Sequence, residues 1–238
     1  MNNTLELNLQ FFGGRGASSS GGGGGGGNVK IKNELDVWSE RHNQSREEAA
    51  TQIISATRDM NDEFGVMDHV TSVTVADFDK ASSGTIAFFS PTDNKVVVNR
   101  AYTDLNKLQA AYEKSVADKF HPPLGKKSPM EAVTAHELGH AIADKINDKR
   151  RATGSSNVDV NSEVVINAWR KMYPNKAHTY EELVGIPKAR ANISRYSSKN
   201  YHETIAEAVA DVYCNGGKAK KFSKAIVTEL KDTIKREL

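Results

Sequence analysis

The residues with the plainest chemical meaning are Val133-Thr134-Ala135-His136-Glu137-Leu138-Gly139-His140-Ala141, which contain the pattern H-E-x-x-H. Four positions make a little over one helical turn, so His136 and His140 share a helix face and can hold one metal ion between them. Glu137 stands beside the first ligand, where a carboxylate serves as general base toward a metal-activated water. Ala132, Val133 and Ala135 lead into the motif, and Ala141, Ile142 and Ala143 follow it, so its helix is apolar on both sides. Two imidazoles and a carboxylate on a buried helix need a partner, and zinc is a ready one.

A catalytic zinc takes three protein ligands and keeps one position for water. Residues 200–211 can supply the third, because Glu203, Glu207 and Asp211 recur every four positions along an otherwise apolar segment. Three acids stacked on one buried face repel one another unless something positive opposes them. One acid would bind the metal, and the acid one turn on would accept the ring N–H of a ligand histidine and fix its tautomer. Two registers satisfy that logic: Glu203 as ligand with Glu207 behind it, or Glu207 as ligand with Asp211 behind it.

These residues need two well-placed helices. Ser128-Pro129-Met130-Glu131 is a start signal independent of the motif, with Ser128 as N-cap, Pro129 at the first helical position and Glu131 completing a capping box. The helix it opens should end near Lys149-Arg150-Arg151, where cations suit the negative end of the dipole. Ser45-Arg46-Glu47-Glu48 is a second capping box and predicts a helix over 45–63. Val70, Val73, Val75 and Phe78 then suggest a strand. Segments 85–89 and 95–99 flank Pro91-Thr92-Asp93-Asn94 and read as a hairpin. A helix over 104–119 follows, with Leu105, Leu108, Ala111 and Tyr112 as its apolar set, before His121-Pro122-Pro123-Leu124-Gly125 breaks the chain. Further helices are expected over 161–173, 201–214 and 218–238, the last basic and amphipathic with Phe222, Ile226, Leu230 and Ile234 inward. The stretch up to Arg195 carries weak signals. The expected fold class is α+β: a small mixed sheet with a hairpin packed on the motif helix, followed by a helical C-terminal half. Residues 1–28 form a leader ending in the glycines Gly21 to Gly27, too glycine-rich to offset its ordering entropy, and 29–238 form the folded domain.

Composition narrows the function classes. The formal net charge is +2, from 32 basic and 30 acidic residues, so the whole-chain charge gives no case for nucleic acid or membrane binding. No apolar run approaches the ~18 residues of a transmembrane helix, and Met1 to Glu6 lack the basic segment and apolar core of a secretory signal. Nothing in the sequence fixes a location. Cys214 is the single cysteine and is read as a packing residue. His202 points to another helix face than Glu203 and is read as a bystander. His42, His69, His121 and His178 have no spacing partner and receive no role.

The segment Ser194-Arg195-Tyr196-Ser197-Ser198-Lys199-Asn200-Tyr201-His202-Glu203-Thr204-Ile205-Ala206-Glu207-Ala208 resembles the catalytic domain of anthrax lethal factor and its relatives, including the proline–proline endopeptidases. That family carries a tyrosine seven residues before its metal-binding glutamate and Ala-Glu-Ala just after it, as Tyr196 and Ala206-Glu207-Ala208 stand here. The resemblance covers roughly residues 128–225 and implies a zincin-like metalloprotease fold. It also implies Glu203 as ligand, Glu207 as the carboxylate behind it, and Tyr196 as a hydroxyl that stabilises the oxyanion. Thr204-Ile205 stands where the family commonly has an aromatic pair, which bears on substrate preference. The other register, Glu207 with Asp211, is similar to the thermolysin arrangement. The leader, through Leu9-Gln10-Phe11-Phe12-Gly13-Gly14-Arg15-Gly16, resembles leaders of structural proteins of phages and prophages of Gram-positive bacteria.

The expected activity is zinc-dependent cleavage of a protein or peptide substrate, in a phage- or prophage-encoded effector or toxin. Glu137 would take the proton of the attacking water and pass it to the leaving amine. In zincins generally, an edge strand above the motif helix pairs with extended substrate, which would make Lys95–Asn99 or its hairpin partner that edge. Two other readings compete. One is a phage structural protein of the minor-head type whose zincin fold only binds, with virion components as partners. The other is a repressor-cleaving phage peptidase of the Imm type, which also carries His-Glu-Leu-Gly-His but places its third ligand closer to the motif. The first puts the chain in a virion, and an effector acts in a host cytoplasm.

Overall fold

The computed structural model describes residues 28–31, 35–36, 44–155, 157 and 159–238, so the expected glycine-rich leader lies outside the described residues except for Asn28. The chain is a mixed α+β structure. Its strands are β1 (Asn28–Ile31), β2 (Leu35–Asp36), β3 (Ser72–Ala76), β4 (Ala87–Ser90) and β5 (Lys95–Asn99). Its helices are α1 (Gln44–Phe64), α2 (Leu105–Ala117), α3 (Pro129–Ala152), α4 (Val160–Met172), α5 (Tyr180–Ile193), α6 (Tyr201–Asn215) and α7 (Lys221–Glu237). The sheet order is β2-β1-β3-β5-β4, with β3 and β5 parallel and the other pairs antiparallel.

The hairpin forms where the sequence placed it, with Asn94 at positive φ in its turn. Its two strands differ in position. In β5, Val96, Val97 and Val98 are all buried, as a strand covered on both faces requires. It therefore lies inside the sheet, and its partner β4 forms the edge of the described sheet. Of the two substrate edges considered, Lys95–Asn99 is excluded because β3 and β4 already occupy its flanks. The ladder phase follows from one bond: Asn99 N–H donates to the carbonyl of Ile86. In an antiparallel pair such bonded positions alternate, so the backbone groups of Ala87 and Phe89 point away from β5, toward the open side.

α3 begins as the capping box dictates. Ser128 Oγ accepts from Glu131 N–H at 3.2 Å, and Glu131 Oε2 accepts from Ser128 N–H at 2.8 Å. The helix is buried along almost its whole length between α1, the sheet and α6. Gly139 sets the crossing with α6: a Cβ there would lie 3.0 Å from the Ala206 Cα and 3.3 Å from the Val209 Cβ. Gly139→Val should push the two helices apart and cost about 1–3 kcal/mol of stability or more, as overpacked cores do. Urea denaturation followed by circular dichroism measures it, and an unchanged midpoint would contradict the close crossing.

α5 occupies the stretch that carried weak sequence signals. Gly185 and Pro187 sit inside it, and Tyr180 and Leu183 are 78% and 72% exposed, so its apolar residues trace no single buried stripe. Gly185 is needed for contact: a Cβ would meet the Trp169 indole at 2.5 Å. The other helices follow the sequence closely, α7 burying Phe222, Ile226 and Leu230. Cys214 is buried.

Candidate metal centre

α3 presents His136, Glu137 and His140, and α6 crosses it to present Glu203 and Glu207. All five are at least nine-tenths buried, and Glu137 and Glu203 are fully so. Glu203 Oε2 lies 3.4 Å from His136 Nε2 and 3.3 Å from His140 Nε2. These three residues, from two helices, bring their ligand-type atoms to one point and could hold a metal ion. Among the described residues, His140 Nε2 and Glu203 Oε2 have no hydrogen-bond partner. Buried polar atoms left so are costly unless a further group engages them.

The two acids behind Glu203 divide their work. Glu207 Oε1 lies 2.9 Å from His136 Nδ1, the ring nitrogen facing away from the cluster. Asp211, though buried, accepts from the Asn215 side chain and from the Lys220 backbone N–H, both at 2.9 Å, and so tethers the start of α7. Of the two registers, the geometry brings together the one with Glu203 beside the histidines and Glu207 behind them.

The segment before α6 is tightly held. Asn200 caps α6 by accepting from Glu203 N–H at 2.8 Å. Arg190 donates to the Ser197 carbonyl and to Thr204 Oγ1. Tyr196 is buried, its ring stacks on His136, and its hydroxyl donates to Glu203 Oε1 at 2.9 Å. His202, by contrast, is exposed on the far side of its neighbour.

Burial and charge set the protonation of the cluster. Burial pushes the Glu137 carboxyl up to about 8, with the Glu203 and Glu207 charges adding to it. The His136 charge and the backbone N–H of Phe89 on β4 act in the opposite sense. Burial disfavours a charged His136, but the adjacent Glu203, Glu207 and Glu137 carboxylates outweigh that and raise it to about 10. Burial also works against Glu207, yet the His121 charge and the His121 and His136 bonds hold it at about 2. Glu203 is lowered in the same way by His140 and His136. Tyr196 is raised far above the usual phenol range, first by burial and then by Glu203, so its hydroxyl stays a donor.

One member of the cluster carried no sequence signal. His121, between α2 and α3, is buried, and its Nδ1 lies 2.8 Å from Glu207 Oε1. The partners are 86 residues apart, so no local spacing could join them. His69, also given no role, sits in a second group with Asp144 and Asp148. There His69 pairs with Asp144 at 3.1 Å and Arg151 pairs with both aspartates, so each carboxylate already has a partner. No protein-family model matches the chain, and neither a curated protein nor a solved structure does.

Proposed function

We propose that the chain is a zincin-type, zinc-dependent endopeptidase, acting as a phage- or prophage-encoded effector, with zinc held by His136, His140 and Glu203. A tetrahedral ion with bonds of about 2.0–2.1 Å sets its ligand atoms about 3.3–3.4 Å apart, and the Glu203 oxygen stands 3.4 and 3.3 Å from the two imidazole nitrogens. Two histidines and one carboxylate are also a catalytic donor set, with one position left for water.

The observation that carries the reading is Glu137. A structural metal site needs no acid beside its ligands. Here a fully buried carboxyl, raised by burial to about 8 in the metal-free chain, adjoins one. Such a group can accept and return a proton at working pH. Bound between the three ligands, zinc supplies Lewis-acid polarisation of a carbonyl and acidification of water. Glu137 takes the proton from the attacking water and delivers it to the amine that leaves, so each cleavage consumes one water and yields a carboxylate and an amine. Glu207 holds the Nδ1–H of His136 and so keeps Nε2 available as a ligand. The open side of β4 offers the backbone groups of Ala87 and the carbonyl of Phe89 to an extended peptide.

Tyr196 rests on Glu203 as a protonated donor, able to steady that ligand or to turn to an oxyanion on the substrate. Tyr196→Phe should lower kcat about 10²-fold with little change in KM, as loss of a transition-state donor does. Steady-state kinetics on a cleaved peptide checks it; a raised KM with unchanged kcat would remove Tyr196 from the chemistry. The reading as a whole is tested by metal analysis of the purified chain together with cleavage of an unbiased peptide library. One zinc per chain and specific cleavage are expected. A zinc-loaded chain that cuts no peptide would instead match the binding-only structural protein.

A further inference from the structure

We infer that His121 is a positioning residue of the metal site, locking Glu207 so that Glu207 in turn locks His136. The inference rests on the metal reading of His136, His140 and Glu203. Glu207 Oε1 is shared by two imidazoles, at 2.8 Å from His121 Nδ1 and 2.9 Å from His136 Nδ1. Its other oxygen has no hydrogen-bond partner among the described residues. A carboxylate anchored by one oxygen toward His136 alone could pivot about that contact. The second N–H, arriving from a different part of the chain, removes the freedom.

His121 is itself fixed. Its ring stacks on Tyr112 of α2, with centroids 5.4 Å apart and planes 19° from parallel. It meets Tyr196 edge-on at 5.6 Å and His136 edge-on at 6.3 Å. The backbone just before it is tied to the Tyr196 segment: Arg195 N–H donates to the Lys119 carbonyl at 2.9 Å, and Tyr196 N–H to the Phe120 carbonyl at 3.2 Å. The α2–α3 connection therefore holds both groups that back the ligands, Glu207 directly and Tyr196 through its backbone. Carboxylates that accept from a ligand histidine tune metal affinity about 10–100-fold when removed, and His121 acts one bond further out through such a carboxylate.

The test compares zinc affinity, by competition with a chromophoric chelator, for the full-length chain and three variants. His121→Phe keeps the stack on Tyr112 but loses the donor. His121→Gln carries its amide nitrogen too far out to replace Nδ1 and serves if the phenylalanine variant does not fold. His121→Asn puts an amide N–H where Nδ1 was. Zinc should bind about 10-fold or more weakly to the Phe and Gln variants and within about threefold of wild type to the Asn variant. Circular dichroism confirms that the chains compared are folded. Wild-type affinity in whichever of His121→Phe and His121→Gln folds, or equal weakening in every folded variant including His121→Asn, would overturn the inference while leaving the metal site standing. A wild-type chain that takes up no zinc would overturn the metal reading and the inference with it, so the wild-type arm separates that failure from failure of the inference alone.

Discussion

Glu137→Gln is expected to lower peptide-bond hydrolysis about 10³-fold or more while leaving zinc content at wild-type stoichiometry, since a positioned general base contributes about 10²–10⁴-fold. The carboxyl is fully buried, lies beside His136 without joining the His136–His140–Glu203 cluster, and is raised to about 8 by burial. Glutamine keeps its shape and removes only the capacity to take a proton. Metal analysis and single-turnover cleavage, run on one preparation, separate the two effects. Retained cleavage would mean that another group accepts the proton. Lost zinc would mean that Glu137 holds the ion, and the three-ligand assignment would need a fourth member.

Zinc itself should act as a strong stabiliser of the fold. Metal-free, the α3–α6 crossing keeps Glu137, Glu203 and Glu207 buried around two imidazoles. Free zinc at 1,000-fold its dissociation constant adds about 4 kcal/mol, which raises Tm by roughly 8–16 °C for a domain of this size. The gain should depend on pH in a set direction. His136 is raised to about 10 in the folded chain, so its contribution is full below its ordinary value of 6.5 and is lost as pH climbs toward 10. Glu137 is raised to about 8, so the folded chain retains a proton that the unfolded chain has released, and stability falls as pH rises from 4.5 through 8. Both slopes weaken the metal-free chain between about pH 6.5 and 8. A neutral His136 is also what a ligand must be, so zinc binds more tightly over the same interval. Thermal unfolding with zinc and with chelator, at both ends of that interval, should show the larger zinc gain at the higher pH. A gain that shrinks with pH would contradict the protonation states described.

What could be read in the sequence was what depends on near neighbours. The capping box at Ser128 and Glu131 is closed within one turn, and the structure repeats it bond for bond. The four-residue recurrence of Glu203, Glu207 and Asp211 put all three acids on one buried face, as observed. It could not say which would meet the histidines, because that depends on where two helices cross. Nor could the hairpin sequence tell inner strand from outer: that was settled by the parallel pairing of β5 with β3, across chain that the two strands do not share. α5 was obscured by Gly185 and Pro187, residues that punctuate loops elsewhere, with the glycine serving here to admit Trp169. His121 was invisible for want of any partner nearby in sequence.

The crossing at Gly139 has a mechanical consequence. The tight contact of Gly139 with Ala206 falls inside both candidate stretches, between His136 and His140 on one helix and between Glu203 and Glu207 on the other. At 1.5 Å of rise per residue, His136 and Glu203 each stand only about 4.5 Å along their axes from that fulcrum, and His140 about 1.5 Å. A 5° rocking of one helix against the other therefore displaces a ligand's backbone by under about 0.5 Å. Long lever arms belong to the helix ends, so swaying there barely moves the cluster, whereas sliding along an axis or rolling about it would displace its side chains directly.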